Sequence, residues 1–243
     1  MNLIKLDAID STNTYLKQLV TQTAPKDYTV VMTREQTGGR GQMGTKWISE
    51  PSRNLTFSLY KQINHLEPEQ QFYISMVISL AVFDVLESFN IPNVKIKWPN
   101  DILSANKKVG GILIENILRE GRMSAAIIGV GLNLNQLEFP GLINASSLKK
   151  ITGVHYVREE VLYKIIDRFR FYVPWVAGKE FDKLRALYES RLFRKDKPST
   201  FKDRDGKLIM GFIKGVDQDG KLRVLLEDEV MQSFELKELT LLY

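Results

Sequence analysis

At 243 residues the chain is too long for a single repeat or a peptide scaffold and suits one large domain, or one large and one small. Its 44% hydrophobic and 26% charged residues can bury a real core, which excludes global disorder. With no cysteine and only His65 and His155, disulfides and thiolate zinc sites are excluded, and a histidine relay is disfavoured; catalysis is directed toward Lys, Arg, carboxylates and bound cations in a chain compatible with a reducing cytoplasm. The net charge is +5, and residues 195–243 hold nine Lys/Arg against ten Asp/Glu, leaving 25 against 19, or +6, on residues 1–194. That balance suits an anionic partner such as a nucleotide, an acidic protein or nucleic acid.

The opening MNLIKLDAID is broken by Lys5, Asp7 and Asp10, so it reads as a strand and not as a signal peptide. Ser11 then caps a helix with Tyr15, Leu16, Leu19 and Val20 on its apolar face, and a strand follows over 28–33. Gly38, Gly39, Gly41, Gly44 and Pro51 make 34–52 a loop. Leu55, Phe57 and Leu59 alternate with Asn54, Thr56 and Ser58, the period of a half-buried strand. Pro68 starts a long core helix; its apolar run over 73–86 is about fourteen residues, interrupted by Ser75, Ser79 and Asp84, and too short to span a bilayer.

Residues 94–98, 101–104, 108–118 and 123–134 read as strands, the second and third joined tightly at Ala105-Asn106. A mixed or antiparallel sheet with helices on one face fits this order, an α/β (α+β) architecture. Helices over 158–176 and 179–192 follow, with the break between them at Pro174 and Gly178. The sequence RKDKPST at 194–200 marks a boundary between residues 1–194 and 195–243. Beyond it, short strands separated by Asp205-Gly206 and Asp219-Gly220 predict a small β-barrel.

Gly39-Arg40-Gly41-Gln42-Met43-Gly44 matches the dinucleotide fingerprint by letter, but Thr45 to Pro51 opens a loop instead of a helix, and no lysine follows Gly44 as a Walker A motif needs. Val94-Lys95-Ile96-Lys97 likewise lacks the catalytic motifs of a kinase. What survives is a loop whose backbone can approach an anion, with Arg40 as a guanidinium fork, or else a plain surface loop. Lys97-Trp98-Pro99-Asn100-Asp101 is either a turn or a place where Asp101 offers a hard oxygen to Mg²⁺ and Asn100 a polar group to phosphate. Lys107-Lys108-Val109-Gly110-Gly111 is either a solvated hairpin or a lysine beside a glycine that admits a ligand edge, and Ser11-Thr12-Asn13 either a helix cap or a polar head-group site. His65 and His155 read as surface residues.

The order Ser11-Thr12-Asn13, Glu35 to Gly41, Lys97 to Asp101, Lys108 to Leu113 and Ile128-Gly129-Val130-Gly131-Leu132-Asn133 resembles the biotin protein ligase family, also called biotin-[acetyl-CoA-carboxylase] ligase. The resemblance runs the length of the chain and implies a class II synthetase-like catalytic domain on a mixed sheet, followed by an SH3-like barrel. It implies a cytoplasmic enzyme that joins biotin to ATP as biotinyl-5'-adenylate, with Mg²⁺, and transfers biotin to one lysine of a biotin carboxyl carrier protein domain. By motif, Ser11, Thr12, Asn13, Gln36, Gly111 and Gly129 would form the biotin site, with Arg40, Gly41 and Lys108 at its carboxylate. Arg40, Gly41, Gln42, Gly44, Trp47, Asn100, Lys108 and Asn133 would hold ATP and the adenylate, Asp101 would organise Mg²⁺, and Lys108 with Arg40 would be catalytic.

Two features depart from the pattern. Gln42 stands where many members have Arg, and the first strand begins near residue 1, leaving no room for the winged helix that lets some members repress transcription. A monofunctional enzyme without DNA or membrane partners is expected, and a homodimer is compatible with the resemblance. The rival readings are a lipoate or octanoyl ligase or transferase of similar fold, and a non-catalytic nucleic-acid-binding protein motivated by the pI of 9.2. The barrel segment, at net −1, lacks the basic aromatic stripe the second rival needs.

Overall fold

The computed structural model describes residues 1–63 and 66–243, so His65 lies outside the described residues, while His155 is exposed as expected. Seven strands form a mixed sheet in the order β1-β2-β3-β7-β6-β5-β4. They are β1 (Asn2–Ile9), β2 (Thr29–Gln36), β3 (Leu55–Gln62), β4 (Val94–Lys97), β5 (Asp101–Ser104), β6 (Lys107–Arg119) and β7 (Arg122–Leu132). Only β1 and β2 run parallel; the other neighbours are antiparallel. The link at Ala105-Asn106 has positive φ at both residues, the backbone a two-residue hairpin requires.

Helices cover both faces of this sheet and not one. α2 (Phe72–Ser88), α4 (Arg158–Ala177) and α5 (Phe181–Ser190) pack on one face, where Phe57, Ile128 and Val130 join Met76, Leu80, Phe83 and Phe169 in the main core. α1 (Thr12–Thr23) lies on the other, its Leu16 buried with Val31, Tyr60, Ala125 and Ile127. Because α1 covers only one end of that second face, the alternate residues of β3 and β7 beyond it change character: Thr56 and Ser58 on one strand, Gly129 and Gly131 on the other. The strand at 55–62 is therefore buried on both sides over its first six residues, not half-buried as the alternation predicts.

Other boundaries shift for local reasons. β2 runs on to Gln36, since Ala8 and Ile9 of β1 pair with Glu35 and Gln36. Pro68 opens a single 3₁₀ turn, Pro68–Gln70, before α2 begins. By length and composition Pro68–Ser88 is long and apolar enough to cross a membrane, longer than the fourteen residues read from sequence, but 67% of its most apolar window is buried inside the fold. Pro174 sits inside α4, and the break falls at Gly178. A short α3 (Leu148–Thr152), capped by Ser147, is not visible in the sequence periodicity.

The C-terminal strands β8 (Pro198–Asp203), β9 (Leu208–Val216), β10 (Leu222–Leu226), β11 (Met231–Phe234) and β12 (Leu239–Leu242) form an antiparallel sheet in the order β11-β10-β9-β8-β12. Its inward residues Phe201, Ile213, Val216, Leu222, Val224, Phe234 and Leu239 belong to the same continuous core as the large sheet. Trp98 Nε1 donates to the Gly220 carbonyl at 2.8 Å, tying the 217–220 turn to the large sheet.

Candidate active site

The uncovered end of the sheet beside α1 forms a cavity of about 230 Å³. Its walls bring together Ser11, Thr12, Asn13, Gln36, Arg40, Gly41, Gln42, Trp47, Asn100, Asp101, Lys108, Gly111 and Gly129. Of the residues expected from sequence, Gly44 and Asn133 are not in its lining. Gly44 sits at φ +83° in the turn Gln42–Gly44 and lines an adjoining cavity. Asn133 lies buried behind the wall, with its Nδ2 donating to the Ser146 carbonyl at 3.0 Å and its Oδ1 without a partner.

One end of the cavity is a set of buried hydroxyls and amides. Thr12 donates through its backbone N (2.9 Å) and its Oγ1 (3.1 Å) to Gln36 Oε1. Ser58 Oγ reaches Thr12 Oγ1 at 2.7 Å and Asn13 Oδ1 at 2.5 Å. Gly129 is required here, because a Cβ on it would overlap Asn13 Oδ1. Sequence reading misses Ser58, whose place in an alternating strand suggests a solvent face; the cluster of hydroxyls at 56 and 58 is the signal that could have found it.

At the other end, a bulge in the β5–β6 pairing aims a lysine. Ile102 pairs with Gly110 but Leu103 pairs with Lys108, so Val109 is an extra residue that changes which face Lys108 occupies. Its side chain consequently lies over Gly111, where an added Cβ would stand 3.6 Å from Nζ. Lys108 Nζ is 2.6 Å from Asp101 Oδ1, and Lys97 Nζ is 3.3 Å from Asp101 Oδ2. Asn100 is fastened to β6, its Nδ2 donating to the Ile112 carbonyl at 2.9 Å. Burial and the Asp101 charge together push the Tyr243 phenol up, and Lys97 Nζ lies 5.4 Å from that ring's centre.

The glycine-rich segment closes over these groups as a small hairpin. Gly41 N donates to Thr45 O at 2.7 Å and Trp47 N to Gly39 O at 3.0 Å, with Arg40 and Lys46 facing each other as a bridge. The Gly41 N–H is thus used within the loop. Trp47 lies against β6 and β7, so close that a Cβ on Gly131 would overlap its indole, and its Nε1 is buried without a partner. Arg40 Nη2 donates to Glu115 Oε2 at 3.2 Å and Thr14 Oγ1 at 3.1 Å. Glu115, like Ser58, is a polar contributor that the motifs do not mark.

A resident metal centre does not fit these residues. Asp101 is the only carboxylate lining the cavity, each of its oxygens already faces an ammonium group, and no cluster of three potential ligands occurs among the described residues.

The chain matches the Biotin/lipoate A/B protein ligase family over residues 6–133. It is 30% identical to the biotin--[acetyl-CoA-carboxylase] ligase of Paracoccus denitrificans, covering 79% of this chain and 82% of that protein. It is 29% identical to the bifunctional ligase/repressor BirA of Salmonella typhimurium, over 99% of this chain and 74% of the relative. Among solved structures, the biotin protein ligase from Aquifex aeolicus in complex with biotin and ATP superposes with a TM-score of 0.82 at 29% identity, covering 99% of this chain and 98% of the other. The chain belongs to the biotin/lipoate A/B protein ligase family, and within it to the biotin protein ligases.

Proposed function

We propose that the protein activates biotin with ATP and passes it to one lysine of a biotin carboxyl carrier protein domain, using the cavity between α1 and the glycine loop. The observation that carries this reading is that one cavity joins a neutral hydrogen-bonding cluster at Ser11, Thr12, Asn13 and Gln36, backed by Ser58, to the Lys108 ammonium, with the Arg40 guanidinium also on its wall. A ureido ring needs donors and acceptors in a buried setting, and an acid tail needs cations. The dithiolane of lipoate would leave the polar end unpaired, at about 1–3 kcal/mol for each stranded group.

In the first step a biotin carboxylate oxygen attacks the α-phosphorus of ATP, the bond to the β-phosphate breaks, and pyrophosphate leaves. Two anions must meet, so a fixed ammonium between them lowers the barrier by charge stabilisation. Lys108, held over Gly111 by the bulge and by Asp101, is the group we assign to that task, with Arg40 as the second cation. Trp47 and the unpaired Oδ1 of Asn133 are assigned to the adenine side, an acceptor suiting an exocyclic amino group. In the second step the carrier lysine nitrogen attacks the acyl carbon, loses a proton, and AMP departs.

Magnesium enters on this reading with ATP as its salt, Asp101 acting first as the counter-ion that places Lys108. We further divide the chain into a catalytic domain, 1–194, and a small β-barrel domain, 195–243, and a cysteine-free composition supports a cytoplasmic setting. Calorimetric titration with biotin and with lipoate tests the reading: biotin binding with lipoate at least tenfold weaker is expected, and the reverse order would favour the lipoate rival.

A further inference from the structure

Resting on that reading, we infer that Glu115 is a positioning residue with two duties at one oxygen, fixing the amide of Asn13 in the head-group cluster and holding the guanidinium of Arg40 next to it. Glu115 projects from β6 on the α1 face with its carboxylate largely shielded, its side chain 22% exposed. A single oxygen, Oε2, accepts from Asn13 Nδ2 at 2.9 Å and from Arg40 Nη2 at 3.2 Å. The other oxygen lies 3.6 Å from Lys17 Nζ, at the rim.

An asparagine amide can turn over with little steric change, so something must decide which end faces the cavity. Glu115 decides it, because a carboxylate only accepts; the Leu113 carbonyl at 3.3 Å from Nδ2 enforces the same choice. Asn13 Oδ1 then points at Ser58 and stands as an acceptor 2.5 Å from its Oγ, with Thr12 Oγ1 2.7 Å from the same hydroxyl. The order of donors and acceptors offered to a buried head group is therefore set from Glu115, one residue removed from the ligand.

Arg40 contacts Glu115 and Thr14 through Nη2, which leaves its remaining nitrogens for an incoming oxyanion. An ion pair with a half-exposed arginine contributes little to folding. Its effect is on ligands: the carboxylate offsets part of the guanidinium charge and competes with carboxylate or phosphate for it.

The two roles separate by substitution. Glu115→Gln keeps an acceptor oxygen for Asn13 but removes the charge, so biotin should bind no more weakly than to wild type while biotinyl-adenylate dissociates at least threefold more slowly. Glu115→Ala also frees the Asn13 amide, and the biotin Kd should rise at least fivefold. A purely structural role would move both quantities together in both variants. Unchanged biotin affinity in Glu115→Ala, or unchanged or faster adenylate release in Glu115→Gln, would overturn the inference. Should the alanine variant not fold, the near-isosteric glutamine variant decides alone through its split of Kd from off-rate. Wild-type binding of biotin is measured first: its absence would fail the functional reading itself, whereas its presence with indifferent variants would fail only the role of Glu115.

Discussion

Lys108 and Asp101 meet at 2.6 Å across a bulged strand pair, and the bulge, more than the ion pair, puts the ammonium over Gly111. The lysine side chain is partly exposed and adds little to the core, so its position is a matter of aim.

Lys108→Ala should fold normally and lose adenylation, since removing a charge that acts on the transition state costs about 2.7–4 kcal/mol, or roughly 10²–10³ in rate. Pyrophosphate release with biotin and ATP gives the comparison. A rate within about threefold of wild type would remove Lys108 from the reaction.

Asp101→Asn separates counter-ion from metal ligand. Loss of the carboxylate frees both Lys97 and Lys108, and a charge-assisted bond is worth about 1.5–3 kcal/mol, so the adenylation rate should fall by about tenfold or more. The magnesium concentration giving half-maximal rate should not move. A shifted magnesium titration at full rate would instead make Asp101 a metal ligand.

Gly131→Ala tests the seating of the glycine loop. The new Cβ would overlap the Trp47 indole, and Gly131 faces the cavity side of β7 away from the main core. The variant should keep its thermal midpoint within a few degrees, show altered tryptophan fluorescence and lose ATP-dependent activity at least tenfold. An unchanged emission spectrum with full activity would show that the loop adapts freely.

Much of this was legible in the sequence, for physical reasons that differ by element. The hairpin at Ala105-Asn106 follows from turn chemistry, and Ser11 as a cap follows from the orphan donors of a helix start, which its side chain meets at Thr14 N. The site motifs gather because glycines at 111, 129 and 131 mark places where side chains approach backbone. What alternation cannot reveal is an extra residue such as Val109, which reverses the faces after it, or a second buried face, which hides Ser58. Pro174 reads as a breaker but is accommodated in the last turn of α4, where Gly178 N bonds back to its carbonyl.

Gln42 also lines the cavity; on the proposed reading it offers an amide where a guanidinium would pair with phosphate. The difference between a charge-assisted and a neutral hydrogen bond, about 0.5–2 kcal/mol, corresponds to roughly twofold to thirtyfold in affinity. Gln42→Arg should accordingly slow the release of biotinyl-adenylate by that factor while leaving the biotin Kd unchanged, because biotin alone brings no phosphate. Equal off-rates would mean that Arg40 and Lys108 already satisfy the phosphate.

The most direct measurement is carrier-free: purified protein incubated with biotin, ATP and magnesium, with pyrophosphate and the acyl-adenylate followed together. One pyrophosphate and one biotinyl-adenylate per site are expected in a first turnover, dependent on biotin and abolished by Lys108→Ala. No biotin-dependent pyrophosphate, or a stronger response to lipoate than to biotin, would contradict the assignment of this cavity to biotin activation.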